Sequence, residues 1–309
     1  MPHIEHPVLD TAETVQWKGP LAGTDHTTIR VPDLATAIDW YRSLLGLVLQ
    51  EQGAGRAFLA SPVTGRVVLA LSETGRGLDY VSFRARTPEV FQMLGGRLDA
   101  AGIRVTRGTS ETRPGVDDAL RVTMPTGHEL EIVLAADDAP ATPVEGEYGL
   151  GSIDVRTSHL QLRTTNVRGL TDFLGVVGFR SSTFVPLPGG DGYFIQFLRA
   201  NEFHHQVAIL TGADGIHHVA LEVDEVAFWA LLDHLAVLHR PAEYGPVRHH
   251  EGNMLSFYIR DPFGNRLELT SSMERVGYDY PPMMAGEAPW YHMNMWGPQP
   301  PESWEQEWM

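Results

Sequence analysis

DPFGNRLEL, residues 261–269, matches MPTGHELEI, residues 124–132, nearly position for position at a separation of 137 residues. A phrase that recurs within one chain is followed up first, because an internal duplication decides the architecture before any single element does. Reading outward from both copies extends the match. LDYVSFRA (78–85) resembles IHHVALEV (216–223) at a separation of 138, and TDHTTIRVPDLATAIDWYRSLLGL (24–47) has the layout of TSHLQLRTTNVRGLTDFLGVVGF (157–179) at 133. The last pair shares a histidine on a strand, then a helical stretch, then a glycine-terminated end. Amphipathic segments, PEVFQMLGGRLDAAG and EVAFWALLDHLAVLH, follow the other pair in both copies. The three separations agree well enough to be one duplication with small insertions.

Each copy reads as strand, helix and three strands, performed twice. Asp33 is the expected N-cap of the helix in DLATAIDWYRSLLG. Runs such as RAFLAS and RVVLALSE have the character of strands. The expected fold class is therefore α+β: two tandem modules, each a pair of βαβββ units forming a curved, partly closed sheet. The expected boundaries are an N-terminal module over 22–136, a linker over 137–152, a C-terminal module over 153–273 and a tail over 274–309. DDAPATPVEGEYG (137–149) is acidic, carries proline and glycine and lacks periodicity, which marks the linker. The tail, PPMMAGEAPWYHMNMWGPQPPESWEQEWM, has four tryptophans that would be costly in water, so it is expected to pack across one module, over an opening.

Composition narrows the function. A net charge of -16 repels phosphate backbones and anionic lipid, so neither nucleic acid nor a membrane surface is an expected partner; a small molecule is. No cysteine occurs, so a metal would have to be held through nitrogen and oxygen. The N-terminal residues show no basic segment followed by an apolar run, and no window approaches the ~20 apolar residues of a membrane span, so the expected location is cytoplasmic.

Alternation along the strands assigns faces. In SHLQLR, Leu160 and Leu162 share one side while His159, Gln161 and Arg163 share the other. In HHVALEV, His217 aligns with Val219, Leu221 and Val223, the face expected under a helix, whereas His218 aligns with Ala220 and Glu222. If the DPFGN turn centres on Phe263, Tyr258 and Glu268 face each other across a hairpin, on one side of the sheet. His159, His218 and Glu268 then share one polar concavity. A lone strand histidine is more often a hydrogen-bonded polar residue than a ligand. Here three candidates fall at equivalent starts and ends of the repeated units. Two imidazoles and one carboxylate suit Fe(II), Mn(II) or Zn(II), and leave coordination positions open for a chelating substrate and O2. The corresponding residues of the first copy are His26, Tyr80 and Glu131. Tyrosine seldom replaces a ligating imidazole, so that module is expected to lack the site.

With these residues in place, the chain resembles the vicinal oxygen chelate superfamily, and within it the two-domain type I extradiol catechol dioxygenases, over about residues 22–273. The segment GPVRH ending at His249, Tyr258 ten residues before Glu268, and the DPFG turn carry the likeness. The resemblance implies a ring-cleaving dioxygenase with Fe(II), or Mn(II), at His159, His218 and Glu268, O2 as co-substrate, and a homodimer or homotetramer. It implies His205 as the histidine that assists O2 activation and proton transfer, with His204 the competing choice. His249 and Tyr258 would hydrogen-bond the substrate oxygens, and Gln161, Phe197, Tyr244 and His292 or Met293 would lie along the substrate. Relatives that take an acid side chain place arginines where this chain has Tyr244 and His292 or Met293, so an uncharged, bulkier catechol is expected here. A glyoxalase- or epimerase-type isomerase would instead recruit Glu222 or Gln161 as a fourth ligand. A metal-free protein sequestering an aromatic compound is the other rival.

Overall fold

The computed structural model describes residues 17–108, 112–135, 153–189, 192–285, 293–307 and 309. The N-terminal module runs β1 (Leu21–Arg30), α1 (Leu34–Leu45), β2 (Val48–Gly53), β3 (Arg56–Ala60), β4 (Val67–Ser72), then β5 (Gly77–Ala85), α2 (Pro88–Ala100), β6 (Thr106–Arg107), β7 (Val116–Thr123) and β8 (Glu129–Ala135). The C-terminal module repeats it: β9 (Arg156–Thr164), α3 (Val167–Val177), β10 (Arg180–Pro186), β11 (Tyr193–Arg199), β12 (Val207–Thr211), then β13 (Gly215–Glu222), α4 (Glu225–Val237), β14 (Tyr244–His249), β15 (Leu255–Arg260) and β16 (Arg266–Ser271). Each module is one sheet, with strand orders β2-β3-β4-β1-β5-β8-β7-β6 and β10-β11-β12-β9-β13-β16-β15-β14. This is the duplicated α+β architecture expected from the repeats. The expected linker lies outside the described residues.

Local chemistry makes these elements. Asp33 caps α1 by accepting from Thr36 N, and the helix ends on Gly46 at φ 66°, a left-handed conformation that glycine adopts without strain. The strands alternate: on β9, Leu160 and Leu162 enter the apolar core, while His159 and Gln161 are buried on the opposite, concave side. The core is continuous between modules, and α1 packs with α4 as α2 packs with α3. Thr24 Oγ1 donates to Ser158 O (2.7 Å), and Thr157 Oγ1 to Val68 O (2.9 Å), tying the sheets together. No helix among the described residues is long and apolar enough to cross a membrane.

The tail packs on the C-terminal module, as its aromatic residues led one to expect, and also extends the sheet of that module, for which the sequence holds no signal. β17 (Met283–Met284) pairs with β10 and β18 (Asn294–Trp296) with β14. A short helix, α5 (Glu302–Gln306), then buries Trp304 against Tyr244 and Tyr258.

Candidate metal centre and substrate cavity

The centre is built on three neighbouring strands, β9, β13 and β16. The turn between β15 and β16 sets its register: Asp261 Oδ1 accepts from Phe263 N (2.9 Å) and Asn265 N (2.8 Å), and Gly264 takes φ 89°. That turn puts Tyr258 opposite Glu268, as the turn centre predicts. Leu267 and Leu269 enter the core, so Glu268 must point into the concavity.

There it meets both histidines. His159, His218 and Glu268 are all buried, and their donor atoms lie within 4.8 Å of one another. His159 Nε2 is 2.8 Å and His218 Nε2 3.0 Å from Glu268 Oε2. Two donors about 2.1 Å from one shared ion and at right angles to each other would stand about 3 Å apart. His218 Nε2 and Glu268 Oε2 are also buried without a hydrogen-bond partner. Native interiors rarely leave such atoms unsatisfied, and a cation at their convergence would satisfy both. Protonation states fit as well. Burial pushes His218 down to about 4 against the opposing pull of Glu268. Burial alone would raise Glu268, but the two adjoining imidazoles hold it well below the usual carboxylate range. At neutral pH the set thus offers a neutral imidazole and a carboxylate, the forms that bind metal.

Around this centre lies a cavity whose wall is mostly apolar, with His159, His218 and Glu268 among its lining residues. His205 stands beside it with its ring 4.4 Å from that of His159 and 5.0 Å from that of Phe197. Burial, then the neighbouring His159 and His204, holds His205 well below its ordinary value. Tyr258 donates to Glu268 Oε1 (3.0 Å), so its oxygen receives the hydrogen from His249 Nε2 (2.9 Å). Burial, then the charge of Glu268, pushes the Tyr258 hydroxyl well above its ordinary value. Gln161 and Phe197 also line the cavity. Tyr244 is not among the lining residues: it is stacked behind Tyr258 at 5.4 Å. His292 lies outside the described residues, whereas Met293 lines the wall.

Other neighbours escaped the sequence reading. Trp304 and Met254 supply apolar walls, and Glu251 places a carboxyl in the lining, where burial pushes it up to about 7. A glutamate inside RHHEGN looks like a solvated loop residue; nothing local signals that it turns inward. His217 corrects an expectation. It is buried, but against Trp304 (ring centroids 4.6 Å) rather than beneath a helix of its own module. The register of β13 against β9 shifts between Ile216 and His218, and a bulge there breaks the strict alternation from which His217 was placed.

A family model for the Glyoxalase/Bleomycin resistance protein/Dioxygenase superfamily matches residues 23–132 and 156–269, one copy on each module. The chain belongs to that superfamily. Among similar superfamily proteins is a metapyrocatechase of Pseudomonas sp. (strain CF600), 26% identical over 294 residues, covering 86% of this chain and 93% of that one. Homoprotocatechuate 2,3-dioxygenase from Brevibacterium fuscum, solved in an anaerobic complex with 3,4-dihydroxyphenylacetate, superposes with a TM-score of 0.79 at 25% identity over 95% of this chain and 94% of that one. A Mn(II)-bound glyoxalase from Novosphingobium aromaticivorans superposes at 0.77 and 25% identity, over 92% and 94%. The similar proteins thus include extradiol dioxygenases, and the resemblance read from the sequence is to the right superfamily.

Proposed function

We propose that this chain is an extradiol ring-cleaving dioxygenase, inserting both atoms of O2 into a catechol-type diol without a carboxylate side chain, at a mononuclear Fe(II) site held by His159, His218 and Glu268. The observation that carries the reading is the convergence of those three buried donors on a cavity that also holds His205, His249 and Tyr258. Bound divalent iron supplies Lewis acidity toward the two diol oxygens and the redox capacity that reaction with dioxygen requires.

The chain's own residues do the rest. Phe197, Met254 and Trp304 offer apolar surface to the ring and exclude water from it. His205 has Nδ1 engaged by His204 Nδ1 (2.9 Å), which leaves Nε2 as the ring nitrogen to serve substrate. Neutral at pH 7, it can take a proton from the diol and return it later, as a positioned general acid–base group does. Tyr258, un-ionised and held between His249 and Glu268, fixes a hydroxyl beside the ligating carboxylate. Among the lining residues no lysine or arginine stands ready for an acid substituent. That supports an uncharged catechol.

Anaerobic reconstitution with Fe(II), addition of catechol, 3-methylcatechol or 2,3-dihydroxybiphenyl, and admission of O2 tests the proposal. Stoichiometric O2 uptake with a yellow ring-opened product is expected. Absence of uptake across the panel would defeat it. The rival, an isomerase on the same scaffold, would turn over its substrate without consuming O2, so the same assay separates the two.

A further inference from the structure

We infer that α5 is part of the metal centre: the main-chain carbonyl of Trp304 fixes the tautomer of His217, and His217 fixes that of His218, so that the Nε2 lone pair of His218 faces the ion. The inference rests on the metal reading above and deepens it.

His217 Nε2 lies 2.6 Å from Trp304 O, and a carbonyl oxygen can only accept, so Nε2 carries the hydrogen. His217 Nδ1 lies 2.8 Å from His218 Nδ1, close enough for a hydrogen bond that one proton must bridge. An imidazolium at His217 could supply that proton, but it would be a buried charge beside the guanidinium of Arg266, whose Nη1 is 3.5 Å from His217 O. His217 is therefore neutral, its Nδ1 is bare, and His218 Nδ1 donates. A neutral His218 with hydrogen on Nδ1 has none on Nε2, the atom 3.0 Å from Glu268 Oε2. Without the carbonyl, His217 could carry its hydrogen on Nδ1 and donate it to His218. The His218 hydrogen would then sit on Nε2, where it excludes a cation.

The segment is built to stay there. Fully buried Arg266, two residues from Glu268 on β16, donates to Ser303 O (2.9 Å) and Glu307 O (2.7 Å) and is itself held by Glu243. Met309 N donates to Ile216 O (3.0 Å), and the Trp304 ring packs edge-on against His217 and Tyr258. His217 is thus a positioning residue. Trp304 thus lines the cavity with its ring and positions the metal ligand through its carbonyl.

The test is Co(II) affinity of the full-length apoprotein, read from the ligand-field spectrum in competition with a chelator. His217→Phe removes the acceptor and should weaken Co(II) binding 10- to 100-fold, the usual effect of losing a hydrogen bond to a ligating histidine. His217→Asn, which restores an acceptor oxygen, should recover most of it. Trp304→Ala should weaken Co(II) by loosening α5, and the His217→Phe, Trp304→Ala double variant should be no weaker than the worse single one, since both break one chain. Wild-type affinity in His217→Phe, or additive losses in the double variant, would overturn the inference. Glu268→Ala separates the two levels: if it too keeps wild-type Co(II) affinity, the metal reading itself fails. If it loses Co(II) while His217→Phe does not, the relay alone is wrong. Should Trp304→Ala fail to fold by circular dichroism, the Phe and Asn variants of His217 decide the matter between them.

Discussion

The two modules solve one electrostatic problem in different ways. Both bury a glutamate at the same point of the repeat, Glu268 and Glu131, each fully shielded from solvent. In the C-terminal module Glu268 faces two imidazoles and keeps an unpartnered oxygen. In the N-terminal module Glu131 is saturated: Oε1 accepts from Arg121 (2.8 Å) and Thr112 (2.6 Å), and Oε2 from Ser82 (2.5 Å). Arg121 occupies the repeat position of Tyr258, 137 residues earlier, and its guanidinium lies 4.2 Å from the ring of Tyr80, which replaces His218. His26, the counterpart of His159, turns to Asp25 at 2.9 Å. One carboxylate is paired with a cation tethered to the chain; the other keeps an oxygen that no protein group satisfies. Open donor atoms, not the fold, separate a metal site from a buried ion pair.

The largest expected effect is on metal content. Glu268→Ala should abolish retention of Fe(II) or Co(II), whereas Glu131→Ala should leave metal stoichiometry unchanged; elemental analysis after gel filtration checks both. Metal loss from the Glu131 variant would break the comparison. A stability effect comes next. Arg121→Met strands a buried carboxylate and should cost about 3 kcal/mol or more in urea unfolding, and adding Glu131→Gln should return much of it. His205→Phe should retain metal yet slow ring cleavage by about 10²-fold or more in O2-electrode assays, while His26→Phe leaves turnover little changed.

The smallest effect is in acid. Each module seats a carboxylate on two arginines: Asp25 on Arg84 and Arg113, Glu243 on Arg260 and Arg266. Burial would raise Glu243, but its hydrogen bonds from Arg266 and Arg260 bring it down to about 2. A carboxyl depressed in the folded state contributes stability above its unfolded value and loses it as pH falls through the folded one. Wild type should therefore lead Glu243→Gln by about 2 kcal/mol at pH 6 and lose that lead on the way to pH 2.5, measured by Tm. A gap that holds constant with pH would remove Glu243 as the clamp on the tail.

How much of this was legible beforehand follows from the kind of signal each residue leaves. Duplication, strand alternation and the DPFGN turn are local patterns, and they suffice to put His159 and Glu268 on one face and Tyr258 opposite Glu268. Arg121 was readable too, because it stands at the repeat offset from Tyr258, but its meaning emerges only when Glu131 is seen pairing with it. Glu251 and the Trp304 carbonyl leave no periodic trace. One is a charged residue in a polar loop, and the other is a main-chain atom whose importance depends on a partner 87 residues away. His217 was misplaced because a bulge invalidates the alternation rule at that point.

The turn that carries Glu268 does not stand on its own module alone. Tyr41 donates to Asp261 Oδ2 (3.0 Å), Gly77 N donates to Asn265 Oδ1 (2.9 Å), and Asn265 Nδ2 reaches Arg30 O (3.1 Å). Each of those partners comes from the half that has no open centre. The first copy is therefore a splint: severed from it, the second half would have to shape its own hairpin unaided.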